Sequence, residues 1–170
     1  DKAGNVTQID LDDSLTYNGD ATLYYDYDDV YRLTRERCVP AQGSSRFSYT
    51  YEYWYDSVGN RTQLRRTDPW TNQRVYTFDY SPRNEMTKCD TGYGRYYSYL
   101  YDMRGNVTKS TYSSDGSYTS YHWDSQNHLT KVYMSSSDKT VQYKYDAMGR
   151  RVAKRVDDGY GWSDWHWYFY

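Results

Sequence analysis

"YLYDMRGNVTKS", at residues 99–110, has the same skeleton as "YWYDSVGNRTQL" at residues 53–64. Both segments read Tyr-x-Tyr-Asp-x-x-Gly-Asn-x-Thr. The opening DKAGNVTQI repeats this skeleton from its Asp onward, and YKYDAMGRRVAK at residues 143–154 repeats it with Arg150 in place of the Asn. A repeated supersecondary unit determines the architecture of a chain. The repeat is therefore the feature from which the fold has to be derived.

Seven copies of the motif follow one another along the chain. Anchored on the motif Asp, they start at Asp1, Asp28, Asp56, Ser81, Asp102, Asp124 and Asp146. The intervals are 27, 28, 25, 21, 22 and 22 residues, and runs of period-2 alternation such as YTYEYWY and VQYKY lie between them. A motif of this spacing with period-2 runs indicates one β-hairpin per repeat. We expect an all-β chain of about seven hairpins, with roughly fourteen short antiparallel strands.

The motif itself has the chemistry of a tight turn. An Asp at the first position of a type I turn accepts backbone hydrogen bonds, and the residue three positions later takes positive φ, as in a G1 bulge. That place is filled by Gly4, Gly59, Gly105 and Gly149, by Asn84 and Asn127, and by Tyr31. A bulky residue is costly at positive φ. We therefore expect the turn at Tyr31 either to have a different geometry or to rely on its neighbours.

The opposite end of each hairpin carries its own turn signals. They are Asn18-Gly19, Gln42-Gly43-Ser44, Asp68-Pro69, Thr91-Gly92, Asp115-Gly116, Ser137-Asp138 and Asp158-Gly159. Gly, Pro, Asn and Asp at such positions interrupt regular structure. Each repeat is thus bounded by a turn on both sides.

Composition indicates a thin sheet. Leu, Ile, Val and Phe together number only 21, but the net charge is −2 and 25 residues are Tyr. Tyr rings bury their faces while the hydroxyl reaches water or a partner, so aromatic packing can order a chain that lacks a large aliphatic core. No segment has the roughly 18 apolar residues of a membrane span.

The motif residues resemble the YD motif of RHS repeats, which occur in bacterial RHS proteins, insecticidal toxin complexes and teneurins. The resemblance extends along nearly the whole chain. It implies that the hairpins join side by side into a strip of sheet that spirals into a hollow shell or tube, often around a toxic C-terminal domain. It assigns the structural role to Tyr27-Asp28, Tyr55-Asp56, Tyr101-Asp102, Trp123-Asp124 and Tyr145-Asp146, with Asp1 and the glycines Gly4, Gly59, Gly105 and Gly149. Ser81 replaces Asp in the fourth copy, and Trp123 replaces Tyr in the sixth.

Catalytic and metal-binding candidates each have a structural explanation. His122, His128 and His166 lie in strands or beside turns without a Ser or Cys nucleophile nearby in sequence. The acidic clusters Asp10 to Asp13 and Asp26 to Asp29 lack the Gly and closing Glu of an EF-hand loop. We expect no catalytic residue, no metal site, no cofactor and no enzymatic activity.

The basic run, the two cysteines and the Asn-x-Thr sequons are three further features of the sequence. The basic run from Arg150 to Arg155 could contact phosphate, but a nucleic-acid role is improbable at net charge −2. Cys38 and Cys89 are either small strand residues or one disulfide bridge. The Asn-x-Thr sequons at Asn5, Asn60 and Asn106 coincide with the repeat motif, which explains them without a sugar.

Two function classes follow from the sequence. The first is a structural module in a secreted or cell-surface shell, tube or filament, whose partners are neighbouring copies of the same sheet and an enclosed toxin domain. The second is an aromatic-rich binding module, in which rows such as Trp162, Trp165 and Trp167 grip a surface glycan or a protein. Rings stacked within the sheet favour the first class, and a contiguous exposed aromatic platform favours the second.

The two ends of the chain are in phase. Joining WHWYFY to DKAGNVTQI restores a complete motif, and the closing interval from Asp146 round to Asp1 is 25 residues. We therefore expect residues 1–170 to be one module of a longer tandem or end-to-end assembly, the alternative being a fragment of a non-periodic RHS shell. Exposed edge strands would favour pairing in either case.

Overall fold

The computed structural model describes residues 1–12 and 19–169, and these residues form an all-β structure without helices. Short alternating segments rich in Tyr, Thr and Val form the strands, as β propensity predicts. They are β1 (Gln8–Leu11), β2 (Ala21–Tyr27), β3 (Leu33–Pro40), β4 (Tyr49–Tyr55), β5 (Arg61–Thr67), β6 (Gln73–Tyr80), β7 (Met86–Asp90), β8 (Tyr96–Tyr101), β9 (Val107–Tyr112), β10 (Tyr118–Trp123), β11 (Leu129–Met134), β12 (Lys139–Tyr145), β13 (Arg151–Asp157) and β14 (His166–Trp167). The prediction of about seven hairpins and fourteen antiparallel strands is confirmed.

The chain divides into two compact units, Asp1–Phe78 and Asp79–Tyr170. In the first unit the strand order is that of the sequence, from β1 to β6, and each strand pairs antiparallel with the next. In the second unit β7 to β14 follow the same rule. Of the opposite-end turn signals, Asn18 lies outside the described residues, as does Asp13 of the acidic cluster.

A bulge lies next to the motif turn, on the return strand, in the hairpins that contain Tyr27, Tyr55, Tyr101, Trp123 and Tyr145. In the first of these, Asp26 pairs with Arg35 but Tyr27 pairs with Leu33, so Thr34 is the extra residue. A bulge of this kind increases the local twist of the strand. The motif chemistry predicts a bulged hairpin turn, and this register contains one.

Little of the chain is buried. Among the described residues the buried hydrophobic side chains are Ala21, Cys38, Phe78 and Ala153, and no large side chain is fully buried. The sheet is thin, as the scarcity of aliphatic residues predicts. Cys38 in β3 and Cys89 in β7 form no disulfide, so the disulfide alternative is wrong.

Within the described residues, no helix has the length and apolar character needed to cross a membrane.

Candidate functional site: the tyrosine-aspartate turns

The turn at Asp102 shows how the motif is built. The Asp102 carbonyl accepts the Gly105 N–H at 3.2 Å, and the Asp102 N–H donates to the Asn106 carbonyl at 2.9 Å. The carboxylate oxygen Oδ1 accepts the N–H groups of Arg104 and Asn106, both at 2.9 Å. One carboxylate thereby satisfies two turn amides that would otherwise lack a partner, which is the known advantage of Asp in turns.

The same pattern of two amides on one side-chain oxygen recurs in all seven motif turns. The acceptors are Asp1, Asp28, Asp56, Ser81, Asp102, Asp124 and Asp146. The Ser81 hydroxyl takes the place of a carboxylate with longer bonds of 3.2 and 3.3 Å. The substitution of Ser for Asp therefore keeps the turn geometry.

The fifth residue of each motif contributes a side chain to the second oxygen of the Asp. The donors are Asn5, Arg32, Asn60, Asn106, His128 and Arg150. At the Ser81 turn the roles are exchanged, because the Ser81 hydroxyl donates to the Glu85 carboxylate at 3.1 Å. Asn, Arg and His share the ability to donate one planar N–H, which explains why all three occupy this place.

Tyr31 adopts the same turn as the glycines, with φ of 65° and a 3.0 Å hydrogen bond from its N–H to the Asp28 carbonyl. The expectation of a different geometry at this turn is therefore wrong. Val30 and Arg32 donate their N–H groups to Asp28, and these bonds fix the backbone on either side of Tyr31. Tyr31 is 63% exposed.

The opposite edge of the first unit contains an eighth turn of the same kind. Asp68 accepts the N–H groups of Trp70 and Asn72, and the Asn72 side chain donates to its second oxygen at 2.9 Å. Thr71, with φ of 64°, takes the place of the glycine. The sequence analysis identified Asp68-Pro69 as a turn but missed this identity, because no Tyr precedes Asp68.

The aromatic residue before each motif Asp binds the preceding hairpin. Its polar hydrogen donates to the carbonyl of the residue five positions after the previous motif Asp. The pairs are Tyr27 to Val6, Tyr55 to Leu33, Tyr101 to Met86, Trp123 to Val107 and Tyr145 to Leu129, all at 2.8–2.9 Å. Trp123 uses its indole N–H, so replacing Tyr by Trp retains the bond. This long-range role was not predicted from the sequence.

The motif Thr also has a structural role. Thr34, Thr87, Thr108 and Thr130 each donate a hydroxyl to the carbonyl eight residues earlier, at 3.0–3.2 Å. For Thr34, Thr108 and Thr130 this bond crosses the bulge. The bulge leaves a carbonyl of the opposite strand without its regular ladder partner. A hydroxyl at this position satisfies it.

Neighbouring turns also contact one another through their side chains. The Arg32 guanidinium lies 4.8 Å from the Tyr55 ring and donates to the Asp56 carbonyl. The His128 ring stacks on Tyr145 at 4.6 Å, which explains why a Cβ at Gly149 would lie only 2.9 Å from the His128 ring. A side chain at position 149 would therefore displace the His128 ring and would also bear the strain of a φ of 77°.

Hydrogen bonding perturbs the carboxylates of the turns. Donation from the Asn106 side chain and backbone lowers the pKa of Asp102, and donation from the Arg150 backbone, with its guanidinium, lowers the pKa of Asp146. Burial raises the pKa of the Tyr101 and Tyr145 phenols. The turns thus favour the charged Asp carboxylate, which accepts the turn hydrogen bonds. They also favour the neutral Tyr hydroxyl, which donates its hydrogen bond.

The catalytic candidates are dispersed in the structure. His128 belongs to the turn at Asp124, His122 lies in β10, and His166 contacts the Tyr168 ring edge-on at 5.1 Å. Within the described ranges, no group of His, Cys, Asp or Glu side chains is arranged to hold a metal ion. The basic run packs on aromatic rings, with Arg151 over Tyr143 and Tyr168.

The three sequon amides are parts of their turns. The side-chain nitrogens of Asn5, Asn60 and Asn106 each donate to the motif Asp at 2.9–3.0 Å. A glycan on such a nitrogen would compete with this bond.

Comparison with known proteins agrees with the geometry of the turns. Residues 101–138 and 123–161 each match the model of the RHS repeat. Residues 101–161 carry RHS repeats. The four motif turns that precede the matched residues, at Asp1, Asp28, Asp56 and Ser81, share the hydrogen-bond pattern described above, so the same turn geometry extends beyond the matched residues. No curated protein matches the chain in sequence.

Two solved structures have a fold similar to that of this chain. The crystal structure of TcdB2-TccC3 without its hypervariable C-terminal region matches 83% of this chain, with a TM-score of 0.59 and 15% identity. The crystal structure of TcdB2-TccC3-TEV matches 92%, with a TM-score of 0.54 and 17% identity. The chain spans 8% and 10% of the length of those two chains. At these identities the likeness shows the fold alone.

Proposed function

We propose that these RHS hairpins form part of the wall of a secreted or cell-surface shell, tube or filament, with no enzymatic activity. The observation that carries the proposal is the bond from four motif Tyr residues and one Trp to the preceding hairpin. It joins hairpins in series by side chain as well as by the strand ladder. A sheet that buries few side chains gains little from a thick core, so such lateral bonds suit a one-layer wall.

The proposed partners are further lengths of the same sheet. Strands β1 and β14 each pair with one neighbour among the described residues, and an unpaired strand edge is a template for another strand. Residues 1–170 would then be one module of a longer or end-to-end assembly. A toxin domain enclosed by the wall would be the cargo, by analogy with what the RHS resemblance implies.

The aromatic binding module is less well supported. Its rings do not form a free platform, because Trp165 and Trp167 lie 6.5 Å apart and cations pack against them. Lys144 therefore covers part of the Trp165 and Trp167 rings, and aromatic stacking alone does not account for this surface.

Electron microscopy of the native protein tests the proposal. We expect particles or filaments with a continuous wall one sheet thick around an empty or filled interior. A compact domain tethered to an unrelated body, with both edges of the sheet exposed to solvent, would contradict it.

A further inference from the structure

A row of side chains crosses the first unit as a ladder of alternating charge. Asp26, Arg35, Glu52 and Arg65 are consecutive cross-strand partners on β2 to β5. Arg35 pairs with Asp26 at 2.5 Å, and Arg65 pairs with Glu52 at 2.7 Å. The Arg65 bond also lowers the pKa of Glu52. Each cation of this row is offset by a carboxylate.

The second unit has an equivalent row without the carboxylates. His122, Lys131, Gln142 and Arg155 are consecutive cross-strand partners on β10 to β13. Counted from the motif Asp, they occupy the same four places as the first row. His122 stands where the first row has Asp26, and Gln142 stands where it has Glu52. The Gln142 amide oxygen accepts two hydrogen bonds from Arg155, at 3.0 and 2.8 Å, but cannot offset its charge.

Aromatic rings hold the cations of this second row in place. Arg155 lies 4.2 Å from the Trp162 ring and 4.8 Å from Trp165. Lys144, on the same face of β12 as Gln142, lies 4.1 Å from Trp165 and 5.3 Å from Trp167. A cation–π contact orients a cation but leaves its net charge intact. In the described part of the chain, no carboxylate forms an ion pair with Lys131, Lys144 or Arg155.

These side chains border an open depression of about 670 Å³ on the sheet face. His122, Lys131, Gln142, Lys144, Arg155 and Trp165 line it. With a strand spacing of about 4.8 Å, the row from β10 to β13 is about 14 Å long. Its length and its preorganised charges suit a ligand with several anionic groups in line.

We propose that this row binds an acidic polysaccharide, a linear chain of sugars with carboxylate groups. The cations would contact the carboxylates, and Gln142 and His122 offer hydrogen bonds to hydroxyls. Trp162 and Trp167, 41% and 49% exposed, offer apolar area to sugar rings. An acidic peptide could not bind here by adding a strand, because β11 and β12 are paired on both sides. The inference does not depend on the enclosing role.

Titration calorimetry with oligogalacturonate at low ionic strength tests the inference. We expect saturable binding that weakens as salt is added, because the contacts are ionic. The methyl-esterified oligosaccharide has the same rings without the charge and should bind at least about tenfold more weakly. No binding of oligogalacturonate by the wild-type chain would overturn the proposal. Equal or tighter binding of polyglutamate would replace the saccharide by an acidic peptide.

The double variant His122→Asp, Gln142→Glu copies the charge pattern of the first row. It should weaken oligogalacturonate binding about tenfold or more without lowering the melting temperature, because new ion pairs form with Lys131 and Arg155. Lys154→Glu changes the net charge by the same amount on the opposite face of β13 and should leave binding within about twofold. Equal weakening by both would show bulk electrostatics and overturn the site. Lys144→Gln, an exposed single change, provides the same test if the double variant does not fold.

Discussion

At the scale of the residue, the fold depends on one oxygen atom per turn. Oδ1 of each motif Asp holds the amides two and four positions later, and the residue between them takes positive φ whether it is Gly105, Asn127 or Tyr31. The Asp bonds are common to all three, so they define the turn. A Gly at the fourth position lowers the strain of positive φ in this turn.

Replacing Gly105 by Val should lower the free energy of unfolding by about 1–3 kcal/mol, because a β-branched residue resists positive φ. No backbone or core atom obstructs the new Cβ, since its nearest neighbour is a Glu85 carboxylate oxygen at 3.9 Å, so strain alone is measured. Tyr31→Val is the matched control and should cost much less, because Tyr31 already bears that strain. Urea unfolding of both variants checks the prediction, and equal losses would contradict it.

Acid should destabilise the turns. The motif carboxylates have lowered pKa values in the folded state, as at Asp28, Asp102 and Asp146. A carboxyl group whose pKa is lower in the folded state than in the unfolded state stabilises the fold above its unfolded pKa of about 4. This stabilisation is lost as the pH falls through the folded pKa. The melting temperature should therefore be steady near neutrality and fall below about pH 4. Asp102→Asn should reduce the difference between the neutral and acid melting temperatures, and an unchanged difference would contradict this assignment.

At the scale of the element, each hairpin is attached to the one before it. The motif supplies an aromatic donor, and the preceding hairpin supplies the carbonyl at its bulge. Arg104 adds a bond of 2.6 Å to the Ser125 carbonyl, and Asn106 one of 2.9 Å to Asn127, so adjacent turns in the second unit are also linked.

Tyr145→Phe should lower the free energy of unfolding by about 1 kcal/mol, because it leaves the Leu129 carbonyl without its side-chain donor. Tyr160, 98% exposed, is the matched control, and Tyr160→Phe should change stability by less than about 0.5 kcal/mol. Chemical denaturation measures both. A loss at Tyr160 equal to that at Tyr145 would show that the hydroxyl at Tyr145 does not stabilise the sheet.

Sequence sufficed for the local part of these elements. Asp, Gly and Asn at fixed offsets predict a turn because their chemistry acts within five residues, and the strands follow from the alternation between turns. The acceptor of Tyr145 could not be predicted in this way, because Leu129 lies 16 residues earlier and a main-chain carbonyl has no sequence signature. The exchange of roles between Ser81 and Glu85 was missed for a related reason, since it is visible only when both side chains are considered together.

At the scale of the whole molecule, the repeat allows the sheet to change its surface while its framework stays constant. The rows that begin at Asp26 and His122 have the same register but opposite electrostatic character, one neutralised and one cationic. The turns beside them, at Asp28 and Asp124, have the same hydrogen bonds. The side chains on the surface of such a sheet can therefore vary from one repeat to another without a change in fold.

Residue-resolved hydrogen exchange of the backbone amides tests most directly the central claim that one hydrogen-bonded turn is repeated along the chain. At the Asp102 turn, the amides of Arg104, Gly105 and Asn106 have acceptors, and we expect them to exchange slowly. The amide of Met103, whose side chain is 93% exposed, should exchange rapidly. The same alternation, one fast amide followed by three slow ones, should recur after Asp28, Asp56, Asp124 and Asp146. Uniformly fast exchange across these turns, or a pattern that differs from one turn to the next, would contradict the account.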